Sequence, residues 1–247
     1  MLHGTDASEG RDVFDLCFAL PSACADQLAS GEADIGIVPV IEMARQKLNY
    51  FRGCGIACHG PVRSILLASK VPFDKIRTLA TDSGSRTSVM LSRVILAEKF
   101  GVEPALASRP ADLAAMLGEC DAALLIGDPA LRLNPATLPF QTLDLGAEWT
   151  AMTGFPMVFA VWAGRAEVLQ DRFARAFAAS LRYGLEHIGA IAKMEAPARG
   201  ISEDLAREYL TRHIVFELGE REYQGLALFL QFSAELHDHM DLKTVTA

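Results

Sequence analysis

Between Ile76 and Ile126 the chain repeats one rhythm. Short apolar runs at Ile76–Thr81, Pro104–Ser108 and Ala122–Ile126 alternate with helical patterns at Val89–Phe100 and Ala111–Leu117. A strand followed by a helix followed by a strand closes most readily as a parallel pair with the helix on one face of the sheet. Two further strands outside the repeat, Val62–Ser69 and Pro156–Trp162, are the most apolar of the rest, and they bracket it. They read as the crossings into and out of a second lobe. Residues 70–155 then form lobe II, inserted into a discontinuous lobe I made of residues 1–69 and 156–247. The expected class is α/β and two-lobed, each lobe a doubly wound sheet with flanking helices, and a ligand cleft between the lobes.

The remaining elements follow from the same patterns. Val13–Leu20, Asp34–Val38, Gly55–Cys58 and Phe140–Leu143 read as strands. Pro21–Ala29, Val40–Leu48, Val168–Met194, Ser202–Thr211 and Gly219–Leu236 read as helices. A chain of 247 residues with 51% hydrophobic content supports a sizeable core. Its formal charge of −8 argues against a nucleic-acid or anionic-membrane partner. No apolar run approaches the roughly 20 residues that span a bilayer. Met1–Arg11 has neither the basic nor the apolar region of a signal peptide. Five cysteines, odd in number and not densely spaced, fit a reduced cytoplasmic protein.

In an acidic chain an anion must be held by a local device, and the best one is Asp82-Ser-Gly-Ser-Arg-Thr-Ser88. It joins a strand to a helix, so free N–H groups and the positive end of the helix dipole meet in a small-residue turn. The same residues suit plain helix capping by Ser85 or Thr87. Arg86 is either a ligand clamp or a surface residue. Arg63 and Ser64, in Gly60-Pro-Val-Arg-Ser64, bring a polar pair into an apolar strand at the expected cleft edge. Asp128, in Gly127-Asp-Pro129, follows a strand's carboxyl end, where it can meet a ligand or cap the next helix. Glu42 lies in the first turn of a helix, where the dipole favours it. Thr153-Gly-Phe-Pro156 reads as a turn walling the cleft. Cys54, Cys58 and His59, and separately His237-Asp-His239, lack the paired spacing of a metal site, so no metal is expected. No nucleophile elbow, dinucleotide fingerprint, Walker loop or zincin motif is present.

Several segments together resemble one family. They are Leu28-Ala-Ser-Gly-Glu-Ala-Asp-Ile-Gly-Ile-Val-Pro-Val-Ile-Glu42, Gly60-Pro-Val-Arg-Ser-Ile-Leu-Leu67, Asp82–Ser88, Ala123-Leu-Leu-Ile-Gly-Asp-Pro-Ala-Leu131, and Asp144-Leu-Gly-Ala-Glu-Trp149 through Thr153–Trp162. The set resembles the chorismate dehydratases of the futalosine route to menaquinone and covers nearly the whole chain in order. The resemblance implies a type II solute-binding-protein fold. It implies conversion of chorismate, a small dicarboxylate partner, to 3-[(1-carboxyvinyl)oxy]benzoate and water, with no cofactor. It places Ser64 and Asp128 nearest the chemistry, and Pro39, Glu42, Arg63, Ser85, Arg86, Thr87 and Ser88 around the substrate. Members of that family usually open with a strand bearing a Tyr-Leu-Asn-like motif, and Met1-Leu-His-Gly4 reads as starting inside the helix after it, so that strand is expected to be absent from lobe I. Two other readings share the fold: a binding protein that captures a small anion unchanged, and the naphthoate-forming enzyme of the same pathway.

Overall fold

A computed structural model describes residues 14–82 and 84–245, with side chains placed as far as residue 236. In chain order the first elements are α1 (Pro21–Ser30), β1 (Ile35–Pro39), α2 (Val40–Arg45), β2 (Asn49–Cys58) and β3 (Ile65–Ser69). The repeat follows as β4 (Thr78–Thr81), α3 (Arg86–Phe100), β5 (Ala105–Ser108), α4 (Leu113–Glu119) and β6 (Ala122–Ile126). Next come α5 (Asp128–Leu131), β7 (Gln141–Asp144), α6 (Leu145–Thr153) and β8 (Met157–Gly164). The chain then turns helical with α7 (Asp171–Glu186), α8 (Ile188–Arg199) and α9 (Glu203–Glu208). A π-turn at Tyr209–His213, β9 (Val215–Glu217) and α10 (Glu220–Val245) complete the order.

Among the described residues two sheets form, one of five strands in the order β5-β4-β6-β3-β7 and one of four in the order β1-β8-β2-β9. The expected rhythm accounts for the three strands β5, β4 and β6, which are parallel because α3 and α4 carry the chain back between them. β3 and β7 join antiparallel, and the pairs within the four-stranded sheet are antiparallel as well. β1 and β2, joined through α2, both pair antiparallel with β8 and so run the same way.

Four local expectations change. The strand expected to close lobe I, 62–69, is hydrogen-bonded instead into the five-stranded sheet, where β3 pairs with β6 and β7. All five of its residues are buried, as a central strand requires. Residues 14–20, expected as a strand, have no strand pairing. Phe14 rests on Phe173 and Phe177 while Phe18 is 76% exposed. The helix expected over 40–48 stops at Arg45, and Lys47 at φ 54° turns the chain directly into β2. The long helix expected over 168–194 breaks at His187 into α7 and α8.

One apolar core runs between the sheets. It joins Val38 and Val161 of the four-stranded sheet to Leu67 and Leu124 of the five-stranded one through Leu91 and Ile95 of α3. Each such side chain contributes about 1.5–3 kcal/mol relative to exposure. Trp149 lies at its centre, wholly buried, donating to the Pro156 carbonyl at 3.1 Å with Phe229 and Phe232 edge-on to its ring. α10 comes so close here that a Cβ on Gly225 would stand 2.1 Å from that same carbonyl oxygen.

Candidate functional site

The strand register gathers the motifs at one end of the five-stranded sheet. Ile65 lies across from Ile126, and Thr81 across from Leu124. Ser64 at the start of β3, the 82–88 turn after β4 and Gly127-Asp128 after β6 therefore share one edge. The four-stranded sheet presents its matching end there: Pro39 ends β1 opposite Ala160, and Cys58 ends β2 opposite Met157. Residues 59–64 bridge the two sheets.

That bridge is tightly held. Gly60 (φ 91°) and Arg63 (φ 66°) turn it through left-handed backbone, which is uncommon for an arginine. The Asp144 carboxylate accepts from the Val62 and Arg63 N–H groups at 2.9 and 2.6 Å and caps α6 through Ala147 N–H at 3.0 Å. Thr150 Oγ1 accepts from Gly60 N–H at 3.0 Å. His213 Nδ1 donates to the Pro61 carbonyl at 2.8 Å. Ser64, 5% exposed, accepts a hydrogen bond on Oγ from the Tyr209 hydroxyl at 3.0 Å, and its carbonyl accepts from Gly127 N–H at 2.7 Å. Asp128 opens α5 beside it and pairs with Arg199 of α8 at 3.3 Å. Burial pushes the Tyr209 phenol above its usual pKa. Asp128 and Cys58 act in the same direction, against the Ser64 hydrogen bond and Arg199.

At the same edge stands the amino end of α3, which meets α2 and α1 of the other half. Ser85 is its N-cap, accepting from Ser88 N–H at 3.4 Å with the two hydroxyls 3.0 Å apart, so capping is what these two side chains do here. Thr87 is fully buried and its Oγ1 accepts from Ile41 N–H of α2 at 3.5 Å. Arg86 reaches the same way, with both terminal nitrogens on Asp26 of α1 at 2.9 and 3.2 Å and one on Glu42 at 3.2 Å. Glu42 is buried and also meets Arg45 at 2.8 Å. Pro39 caps α2 immediately before it. Thus Pro39, Glu42, Arg86 and Thr87 gather on one side, and Ser64, Asp128, Tyr209 and Arg199 on the other. The Arg63 guanidinium donates to the carbonyls of Leu133 at 2.6 Å and Ala130 at 3.4 Å. It braces the end of α5 and the loop after it.

Tyr209 and Arg199 escaped the sequence reading. Neither stands in a motif, and Tyr209 lies 145 residues from the serine it touches. Its position at the head of a π-turn, a distortion often found at functional sites, is a signal only the structure carries. Cavities of about 410 and 320 Å³ open around Leu48 and Tyr50, and none of the predicted site residues lines either. Among the described residues no group of three or more His, Cys, Asp or Glu is placed to hold a metal ion. The side chains of His237, Asp238 and His239 lie outside those described, as do the whole of residues 1–13 and Ser83. No helix among the described residues is long and apolar enough to cross a membrane.

Two sheets, each with helices, whose ends face one another across a polar seam define the architecture of periplasmic solute-binding proteins. The aliphatic sulphonate binding protein SsuA of Escherichia coli superposes with a TM-score of 0.57 at 17% identity, covering 90% of this chain and 75% of that one. A protein from Archaeoglobus fulgidus superposes with a TM-score of 0.71 at 18% identity, covering 90% and 86%. Within that architecture, the sequence profile of the menaquinone biosynthesis family matches residues 1–235, and the chain belongs to that family. A chorismate dehydratase of Thermus thermophilus is 28% identical over 236 residues, 88% of this chain and 86% of that one.

Proposed function

We propose that this chain is a chorismate dehydratase, a carbon–oxygen lyase that removes water from chorismate to give 3-[(1-carboxyvinyl)oxy]benzoate. The reading rests on family membership, on the relative of that name, and above all on one juxtaposition. A buried serine hydroxyl and a carboxylate, Ser64 and Asp128, stand at the same sheet edge as a helix amino end carrying Arg86. The reaction needs both kinds of group. Chorismate is a dicarboxylate with a ring hydroxyl next to an ether-bearing carbon. Loss of that hydroxyl and of the neighbouring ring proton leaves an aromatic ring, so the protein has to orient the substrate and assist the leaving oxygen rather than supply driving force.

In this scheme the amino end of α3, with Ser85, Arg86, Thr87 and Ser88, holds a carboxylate through first-turn N–H groups and the guanidinium. Pro39 and Glu42 form the facing wall. Ser64 donates to the departing hydroxyl, and Asp128 orients it. The ring proton goes to the substrate's own enolpyruvyl carboxylate, consistent with a site whose polar residues are mostly serine, threonine, tyrosine and arginine. Water then leaves with the hydroxyl oxygen and that proton, and the electron pair of the broken C–H bond completes the aromatic ring. The lobes are formed by the four-stranded and five-stranded sheets, with β3 assigned to the second. Five free thiols support a cytoplasmic setting.

Incubating the protein with chorismate and following the benzoate by chromatography tests the activity. Ser64→Ala is expected to lower kcat by about 100-fold, the scale of a lost directed donor. Turnover of Ser64→Ala within twofold of wild type removes Ser64 from the chemistry. Tight binding of chorismate with no product favours the binding-protein reading instead.

A further inference from the structure

Ser64 has few ways to use its hydroxyl. Its backbone N–H is taken by the Val62 carbonyl at 2.7 Å and its own carbonyl by Gly127 N–H at 2.7 Å. Its Oγ already accepts the Tyr209 hydroxyl at 3.0 Å. A hydroxyl has one proton and two lone pairs, so a serine that accepts from tyrosine still has its own proton to give. We propose that Tyr209 is a positioning residue which, by donating to Ser64 Oγ, turns that serine into a directed hydrogen-bond donor for the oxygen leaving the substrate. This rests on the dehydratase reading above and adds to it a residue from the far end of the chain.

The surroundings are arranged to keep the phenol a donor. Tyr209 heads the π-turn, whose other end is anchored by His213 on the Pro61 carbonyl, so the turn grips the bridge 60–64 at two points. The groups facing the phenol come from four elements: Ser64 from the start of β3, Asp128 from α5, Cys58 from β2 and Arg199 from α8. Burial opposes the phenolate, and the negative charge of Asp128 opposes it further. Arg199 is occupied by Asp128 at 3.3 Å and by Glu195 at 3.0 Å, which limits how far it offsets them. The chain of donors therefore has one direction, from Tyr209 to Ser64 and outward.

The test is steady-state turnover of chorismate by wild type, Tyr209→Phe, Ser64→Ala and the double variant. Tyr209→Phe is expected to lower kcat by at least about tenfold with KM changed less than about threefold, the pattern of a misdirected reacting group. The double variant is expected to be no slower than Ser64→Ala within about twofold, because tyrosine acts only through the serine. A fluorinated tyrosine at 209 keeps the shape and lowers the phenol pKa. It should move the alkaline limb of kcat to lower pH by the amount the analogue's pKa falls, which a purely structural tyrosine would not do. Fluorotyrosine also covers the case in which Tyr209→Phe fails to fold. Wild-type kcat in Tyr209→Phe, additive losses in the double variant, or an unmoved alkaline limb each overturn the role of Tyr209 while leaving the dehydratase reading intact. Wild type that makes no benzoate from chorismate overturns that reading, and this role with it.

Discussion

Cys58 ends β2 with none of its surface exposed, beside the Asp144 carboxylate that pins the bridge. Burial pushes its thiol well above the ordinary range, and Asp144 adds to that. Burial raises Cys54 as well, while Cys17 is exposed. The thiolate is the nucleophile, so access and burial set the order of reaction. At about pH 8 a maleimide is expected to label Cys17 first and to leave Cys58 untouched until the protein unfolds, read by mass spectrometry of the labelled peptides. Labelling of native Cys58 as fast as Cys17 would show that β2 is not buried as described. At this scale the sequence was informative where a residue sits in a turn of small polar residues. Ser64, Asp128 and the 82–88 stretch stood out because turns between apolar strands carry few explanations. Arg63 looked equally polar, yet its guanidinium serves two carbonyls. Tyr209 looked like any aromatic in a helix, because no local pattern records a contact made across 145 residues.

Elements in this fold are tied by carboxylates that collect backbone N–H groups at their ends. Asp121, just before β6, accepts from Arg77 N–H at 2.9 Å, Thr78 N–H at 3.1 Å and Thr78 Oγ1 at 3.1 Å, clamping the start of β4 to its parallel neighbour. The Arg77 N–H bond is the chief cause that holds its carboxyl below the usual aspartate value, with both Thr78 bonds and Lys70 helping and burial opposing. A carboxyl with a depressed folded pKa stabilises the protein above its unfolded pKa and loses that contribution as pH falls through the folded value. Asp121→Asn is therefore expected to cost about 1–2 kcal/mol at neutral pH, and progressively less as the pH falls below the ordinary aspartate range and through the depressed folded value. Urea unfolding at a series of falling pH values measures it; a loss that does not shrink anywhere on the acid side would refute the ionised clamp. The βαβ rhythm made β4, β5 and β6 legible, since alternating strands and helices permit few arrangements. β3, expected as the crossing at the end of lobe I, pairs within the five-stranded sheet, because an all-buried run looks the same on either side of a crossing. Residues 14–20 have a strand's alternation, but a strand exists only where a neighbouring edge accepts its hydrogen bonds.

The whole molecule turns on how the two sheet-bearing halves meet. Thr87 of α3 touches Ile41 of α2 at 3.5 Å, and Arg86 spans the seam to Asp26 and Glu42, so the two lips are closed on each other. Two-lobed proteins of this architecture admit ligands by hinge motion, and in the proposed scheme Arg86 must exchange Asp26 for a substrate carboxylate. Asp26 is then a competitor of the substrate. The Asp26 side chain is 59% exposed and that of Arg86 35%, so their pair is a surface one of at most about 1 kcal/mol. Removing the competitor and removing the clamp should act in opposite directions. Asp26→Ala is expected to lower KM for chorismate by about two- to fivefold, and Arg86→Ala to raise it by at least about tenfold. The Asp26→Ala gain should shrink as salt is raised toward about 0.5 M, because exposed charges are screened over a few ångströms there. Steady-state kinetics at low and high salt separate these effects. A raised KM in Asp26→Ala would mean that the Asp26–Arg86 pair serves binding by holding the closed form, and that Arg86 keeps both partners when substrate is present.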